Sequence, residues 1–248
     1  MIQLHCGDCL DILPTLSPQS IDLVLTDPPY GTTKCKWDTI IPLDQMWSAL
    51  RHVCKRTTPI VLTATQPFTS LLIASNIKQF RYEWIWNKVT ARGHLVAKKR
   101  PMAQHENVLV FYEQAPIYNP QMVLKAKPEK GKSVEHSRTE ICGGKTTKES
   151  ETVIRTHSYP KTILTFPSES NTNKFHPTQK PVALLEYLIK TYSNVGDTVL
   201  DFTMGSGSTG VACVNTGRSF VGIELDEHYF TVTQQRIADA QSQLRLEL

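Results

Sequence analysis

Two short stretches of this 248-residue chain carry residue types that could do chemistry together. The first is Asp27-Pro28-Pro29-Tyr30, at the end of the apolar run I-D-L-V-L-T at 21–26. Two consecutive prolines fix φ near about −65° and remove two N–H donors, leaving a stiff corner whose carbonyls point outward. A carboxylate and an outward carbonyl can accept both N–H bonds of a flat amine, and an aromatic ring beside them can stack on a planar partner. An exocyclic amine on a nucleobase is a poor nucleophile because its lone pair is delocalised into the ring. Two acceptors at its hydrogens favour the pyramidal, reactive form. A lone Pro-Pro suits any rigid turn, but the acid before it and the aromatic after it stand at a strand's carboxyl end, where α/β sheets hold ligands.

The second stretch is D-F-T-M-G-S-G-S-T-G at 201–210, after a strand pattern and at the opening of a helix pattern. Gly205, Gly207 and Gly210 fit G-x-G-x-x-G, and Glu224 ends the next strand pattern, so that its carboxylate can grip ribose hydroxyls. Tight strand-to-helix turns also use glycine for steric reasons alone. In this context the turn points to a nucleotide-type cofactor without separating NAD from S-adenosylmethionine (SAM). Both carry an adenosine, and only NAD needs a pyrophosphate seated on the helix N-terminus.

The elements that must position these stretches alternate along the chain. Strands are predicted at 2–5, 21–26, 59–64, 81–88, 107–112, 198–202 and 220–224. Helices are predicted at 43–55, 68–75, 181–192, from the glycine turn to about 216, and from 226 onward. Pro181 stands in a first helical turn, where its missing N–H costs nothing. The alternation argues a mostly parallel α/β sheet covered on both faces. Between 115 and 158 the sequence is rich in Lys, Thr, Glu and Gly and shows little periodicity, as an insertion or small subdomain with mobile loops would.

The net charge is +4, but residues 88–161 hold 14 Lys/Arg against 7 Asp/Glu, a balance of +7, while the flanks carry −3. A basic middle on a near-neutral core suits a polyanion such as DNA, and equally a solvated loop. No run reaches the ~18 apolar residues of a membrane helix. The first ten residues lack the basic and apolar regions of a signal peptide. Six irregularly placed cysteines make no disulfide framework, which suggests a reducing cytoplasm. Cys6 and Cys9 form a C-x-x-C with no second pair at zinc spacing and read as small buried residues flanking Asp8, so no metal site is expected.

Taken together, the motifs resemble the amino DNA methyltransferases that modify N6 of adenine or N4 of cytosine, in their β-class order. Asp27-Pro28-Pro29-Tyr30 is similar to that family's catalytic motif, and residues 201–209 to its SAM loop, placed late in the chain. The segment His176-Pro177-Thr178-Gln179-Lys180-Pro181 resembles the stretch before that loop, whose Lys lies near the cofactor. Val221-Gly222-Ile223-Glu224 resembles the ribose-binding strand. Cys6-Gly7-Asp8-Cys9-Leu10 resembles the segment whose Asp approaches the cofactor adenine. Trp86-Asn87-Lys88 and His105-Glu106 are similar to segments flanking the base pocket, without an assigned role. The loop departs from the commoner D-P-F opening, because Phe202-Thr203 follows Asp201.

The resemblance covers about residues 4–112 and 175 onward, and implies a doubly wound, Rossmann-like SAM-dependent methyltransferase in permuted order over 1–248. It also implies a target-recognition insertion at about 115–173. The catalytic corner would be Asp27, Pro28, Pro29 and Tyr30. SAM would be held by Asp8, Cys9, Lys180, Asp201, Phe202, Gly205, Ser206, Gly207, Ser208, Thr209, Glu224 and Leu225. Lys88, Arg92, Lys98, Lys99 and Arg100 would contact double-stranded DNA, phosphate contacts positioning it without reading sequence.

Asp rather than Ser at position 27 favours adenine over cytosine, the base leaving the duplex to reach the pocket. C5-cytosine methylation is excluded in this reading by the lack of a Pro-Cys dipeptide. An NAD-dependent dehydrogenase would leave the D-P-P-Y corner and the basic segment idle. Methylation of RNA or of a protein glutamine is a nearer rival, and a catalytically silent DNA-binding module a third. The target sequence, a partner endonuclease for restriction–modification, and the choice between monomer and homodimer are not legible in the residues.

Overall fold

The computed structural model describes residues 1–32, 38–132, 152–169 and 179–246. In chain order the strands and helices are β1 (Ile2–Cys6), α1 (Cys9–Ile12), β2 (Leu23–Thr26), α2 (Leu43–Val53), β3 (Ile60–Ala64), α3 (Phe68–Ser75), β4 (Phe80–Arg92), β5 (Ala103–Phe111), β6 (Val123–Lys132), β7 (Thr152–Ser158), β8 (Ile163–Thr165), α4 (Val182–Tyr192), β9 (Thr198–Asp201), α5 (Ser208–Thr216), β10 (Ser219–Glu224) and α6 (Glu227–Leu246). Among the described residues no helix is long and apolar enough to cross a membrane.

Eight strands form one sheet in the order β1-β10-β9-β2-β3-β5-β4-β8. Every pairing is parallel except the two made by β5. The apolar runs of β2, β3 and β9 have no polar face because both faces are covered. Leu23, Leu25, Val61 and Val199 point to the layer of α4, α5 and α6. Val24, Ile60, Leu62 and Leu200 point to the layer of α2 and α3. This is the mostly parallel sheet covered on both faces that strand–helix alternation predicts, and the doubly wound α/β fold that the resemblance implies.

Chain order and sheet order combine to place a crevice. From β2 the chain crosses through α2 to β3, and from β9 it crosses through α5 to β10, on the other side. Because β2 and β9 are neighbours, paired Leu23 to Val199 and Val24 to Leu200, the loops leaving their carboxyl ends diverge. Such a switch point is where open α/β sheets bind ligands. The antiparallel β5 brings its beginning, with Glu106, to that same edge, paired to Trp86 of β4.

The chain divides into two compact units, Met1–Asn119 with Thr162–Leu248, and Pro120–Lys161. The second is narrower than the insertion expected at 115–173, because β8 joins the large sheet beside β4. Within it β6 and β7 pair antiparallel, which the sequence reading did not foresee. Pro128 interrupts β6, where the register slips between Leu124–His157 and Glu129–Arg155. A proline at a bulge spoils the alternation by which a strand is recognised. Residues 133–151 of that stretch lie outside the described residues.

On the α4 side, Trp84 donates its indole N–H to the Tyr192 hydroxyl at 2.6 Å, and the Tyr82 hydroxyl lies 2.9 Å from the same oxygen. Tyr192 is 1% exposed. Tyr192→Phe is therefore expected to cost about 1–3 kcal/mol, by leaving a buried donor unsatisfied. Urea denaturation reads that loss, and an unchanged midpoint would show that the tie between α4 and β4 carries no weight.

Candidate active site

The crevice opens into a cavity of about 790 Å³, lined from the carboxyl ends of β1, β2, β3, β9 and β10 and by β4 and β5. Asp27 leaves the end of β2 and is held from several directions. The Tyr30 hydroxyl donates to its Oδ1 at 2.5 Å, and the Thr63 hydroxyl donates to the same oxygen. Lys180 Nζ donates to Oδ2 at 2.5 Å, with its side chain 8% exposed. Burial works against the lysine's charge, but Asp27 and Glu106 outweigh it and hold its pKa above the ordinary lysine value. The Tyr30 pKa is raised by burial and by the neighbouring carboxylates, which keeps its hydroxyl a donor.

The corner is locked beyond the two prolines. Asp38 is 7% exposed. Its Oδ1 accepts the backbone N–H groups of Tyr30 and Gly31, both at 2.8 Å, and its Oδ2 that of Thr32 at 2.9 Å. The Tyr30 ring stacks on Phe68, centroids 5.4 Å apart and planes at 26°. Pro28 is buried, and both prolines line the cavity.

The glycine turn after β9 is bolted to this corner. Thr26 donates to Asp201 Oδ1 at 2.5 Å, and Thr203 donates to the Asp27 carbonyl at 3.1 Å. Asp201 also accepts the Thr209 hydroxyl at 2.6 Å and the Thr203 N–H at 3.2 Å. Burial pushes its carboxyl up to about 6, although these hydrogen bonds oppose the shift. Across the turn, Glu224 accepts the N–H of Gly205 at 2.8 Å and that of Asp226 at 2.9 Å. Burial raises its pKa.

The expected residues sort into four groups. Asp8, Cys9, Lys180, Asp201, Phe202, Gly205, Ser206, Ser208, Thr209, Glu224 and Leu225 all line the cavity with the catalytic corner. Gly207 does not. Its φ of +77° needs glycine, and a Cβ there would stand 2.6 Å from the Thr233 side chain of α6. Its role is close packing behind the loop. Lys98, Lys99 and Arg100 are exposed and outside the cavity, on the connection between β4 and β5. Lys88, expected beside them, is instead turned inward. It pairs with Glu106 and sits 5.2 Å over the Trp86 ring, while Arg92 stays exposed at the cavity wall.

One further reading changes. Cys9 is buried and its thiol is pushed up to about 12 by burial, but Cys6 is exposed, since β1 is an edge strand and Cys6 ends it. Asp8 spends one oxygen capping α1, accepting the Leu10 N–H at 2.8 Å. His176, Pro177 and Thr178 lie outside the described residues.

Sequence reasoning missed the residues that hold the site from a distance. Thr26, Asp38, Thr63 and Thr203 carry no motif of their own. Arg236 of α6 donates to the Ser206 carbonyl at 2.5 Å and bears no spacing relation to the loop it latches.

The comparisons with known proteins agree with this geometry. A family model described as DNA methylase matches residues 21–235. The DNA adenine methyltransferase YhdJ of Escherichia coli strain K12 is 27% identical over 251 residues, covering 93% of this chain and 81% of that protein. The crystal structure of an M1.HpyAVI–SAM complex superposes with a TM-score of 0.63 at 22% identity, covering 96% of this chain and 99% of that one. The cytosine-N4-specific PvuII DNA methyltransferase superposes with a TM-score of 0.69 at 17% identity, covering 98% and 92%. At these identities the two structures speak for the fold.

The raised Asp201 carboxyl makes a pH prediction. The folded state binds its proton more tightly than the unfolded chain, about 6 against the ordinary 3.8. Its contribution to stability is thus fully present below about pH 4 and lost as pH rises through 6. Two units correspond to about 3 kcal/mol. Denaturation of the wild type and Asp201→Asn across pH 4–7 is expected to show their difference moving by that order toward the variant. A constant difference would show that the carboxyl titrates normally.

Proposed function

The chain belongs to the DNA methylase family, and from that premise we propose that it transfers a methyl group from SAM to the N6 amine of an adenine flipped out of duplex DNA. The observation that carries the reading is one cavity in which the Asp27 corner of β2 faces the glycine turn of β9 across a shared set of hydrogen bonds.

SAM, when bound, supplies an electrophilic methyl on a sulfonium. The residues fit such a group. Gly205, at φ +54°, has open space where a side chain would stand, so any other residue would fill the cradle. The Ser168 hydroxyl oxygen is buried on the cavity wall and, among the described residues, has no hydrogen-bond partner, which a polar ligand would relieve. In this reading Glu224 takes the ribose hydroxyls, Asp8 approaches the adenine, and Phe202 and Leu225 supply apolar wall. Asp201 has its oxygens filled by Thr26, Thr203 and Thr209, and so shapes the loop from behind.

The chain's own part is positioning. Asp27 and the Pro28 carbonyl accept the two N–H bonds of the incoming amine, leaving its lone pair directed at the methyl. Tyr30, backed on one face by Phe68, offers its ring to the base. The gain is orientation and preorganised charge in an enclosed site. Asp at position 27 and the likeness to an adenine methyltransferase support adenine.

DNA would be met by Arg92, Lys98, Lys99 and Arg100, in a stretch from 88 to 105 that holds five Lys/Arg and no Asp or Glu. The unit at Pro120–Lys161 is the candidate for target recognition.

The test is nucleoside mass spectrometry of unmethylated DNA after incubation with isotopically labelled SAM. Label is expected in N6-methyladenosine. Label in N4-methylcytosine would keep the mechanism and change the base, while no label with intact cofactor binding would overturn the DNA reading. Asp27→Ala is expected to abolish turnover yet still bind cofactor, and turnover at the wild-type rate would remove Asp27 from the chemistry. Replacing Lys98, Lys99 and Arg100 by Gln is expected to flatten the slope of log K against log salt by about 2–3. An unchanged slope would mean those side chains face elsewhere.

A further inference from the structure

The cavity wall holds a buried carboxylate oxygen that takes no part in the methyl-transfer geometry. Glu106 is 8% exposed, and its Oε1 is paired with Lys88. Its Oε2 is buried and, among the described residues, has no hydrogen-bond partner. Lys180 Nζ lies 3.4 Å from that oxygen, and that same nitrogen is hydrogen-bonded to Asp27 Oδ2 at 2.5 Å. Asp27, Lys180, Glu106 and Lys88 thus form a chain of alternating charge through the wall of the base pocket.

An unfilled acceptor in such a place is costly, because the low dielectric that strengthens a made bond also raises the cost of an unmade one. Meanwhile the acceptor that the amine needs, Asp27, already takes Tyr30 and Thr63 on Oδ1 and the Lys180 ammonium on Oδ2. These two observations are complementary. We propose that Lys180 is handed from Asp27 to Glu106 when the target base arrives, Glu106 being the positioning residue that makes the transfer favourable. An amine N–H takes Asp27 Oδ2, and the ammonium swings through less than the length of a hydrogen bond onto Glu106 Oε2.

The hand-off needs no proton transfer, since Lys180 passes as an ammonium from one carboxylate to the other, and both carboxylates raise its pKa. Before the base enters, Lys180 neutralises Asp27 and stabilises the empty corner. After it enters, Asp27 offers an oxygen to the amine while the ammonium remains nearby. Lys88 keeps the other oxygen of Glu106 fixed, and so aims the vacant one. The carboxylate is required, since a neutral amide at 106 would compete poorly with Asp27 for an ammonium.

The inference rests on the methyl-transfer reading, and the experiment separates the two failures. Single-turnover methylation with enzyme in excess over DNA, using labelled SAM, gives a rate even for slow variants. Glu106→Gln is expected to slow that rate about tenfold or more, which is the loss of about one charge-assisted hydrogen bond. Cofactor affinity by calorimetry is expected to stay at the wild-type value and Glu106→Asp to recover part of the rate, while the loss of a buried ion-pair partner is expected to lower the melting temperature.

The readout that a merely structural role would not move is the coupling with Lys180. In a Lys180→Met background, Glu106→Gln is expected to cost nothing further, whereas in a Lys88→Met background it keeps most of its effect. Additive losses with Lys180, or coupling to Lys88 alone, would overturn the hand-off and leave Glu106 as a partner of Lys88. A wild-type rate in Glu106→Gln would overturn it too. A wild-type enzyme that methylates no DNA would instead sink the functional reading on which the inference stands.

Discussion

The ion pair between Asp27 and Lys180 is the interaction around which the rest of the site is arranged. Two charges taken out of water cost several kcal/mol each, and removing one partner of such a pair typically costs about 3–5 kcal/mol. A fold keeps a pair of this kind only where its neighbours fill the remaining lone pairs and hold the geometry. Here the neighbours come from distant parts of the chain. Thr63 stands in β3, Tyr30 past the end of β2, Glu106 in β5, and Lys180 just before α4. Removing any of those elements would leave a buried charge without its compensation.

That convergence follows from topology. A parallel sheet sends the carboxyl ends of its strands to one edge, and the strand order β9-β2-β3 sets the glycine turn, the acidic corner and the Thr63 strand side by side. β9 stands late in the chain and β2 early, yet they pair directly, so the motif order along the sequence is immaterial to the site. In the eight-stranded sheet the one antiparallel strand adds something a parallel one could not. Because β5 runs the other way, its beginning reaches the ligand edge, and Glu106 enters the pocket wall from a strand whose continuation is buried core.

The sequence made the local parts of this legible. The Asp27 corner, the glycine turn and Glu224 are contiguous patterns whose chemistry depends on residues within a few positions, and alternating apolar runs marked the strands that carry them. Parts set by long-range packing were hidden. Gly207 and Gly205 look alike in the pattern, yet the first makes room for Thr233 of α6 and the second leaves room inside the cavity. That difference lies in an element more than twenty residues away. Lys88 read as one of a run of surface cations, and only the pairing of β4 with β5 reveals that it faces Glu106. The same limit hid β6, where Pro128 breaks the alternation at the bulge.

The two carboxylates at the ends of adjacent strands show how environment separates roles that sequence alone does not. Asp27 and Asp201 each end a buried apolar run and each precede a tight turn. Asp201 is surrounded by three uncharged donors, Thr26, Thr203 and Thr209, and among the described residues no cation pairs with it; burial therefore dominates and lifts its carboxyl to about 6. Asp27 has an ammonium in contact and an edge open to the cavity. A carboxyl that is satisfied, enclosed and easily protonated is suited to bolting one loop to another. One held against a movable cation is suited to receiving a new donor, and the placement of a single lysine assigns each aspartate its task.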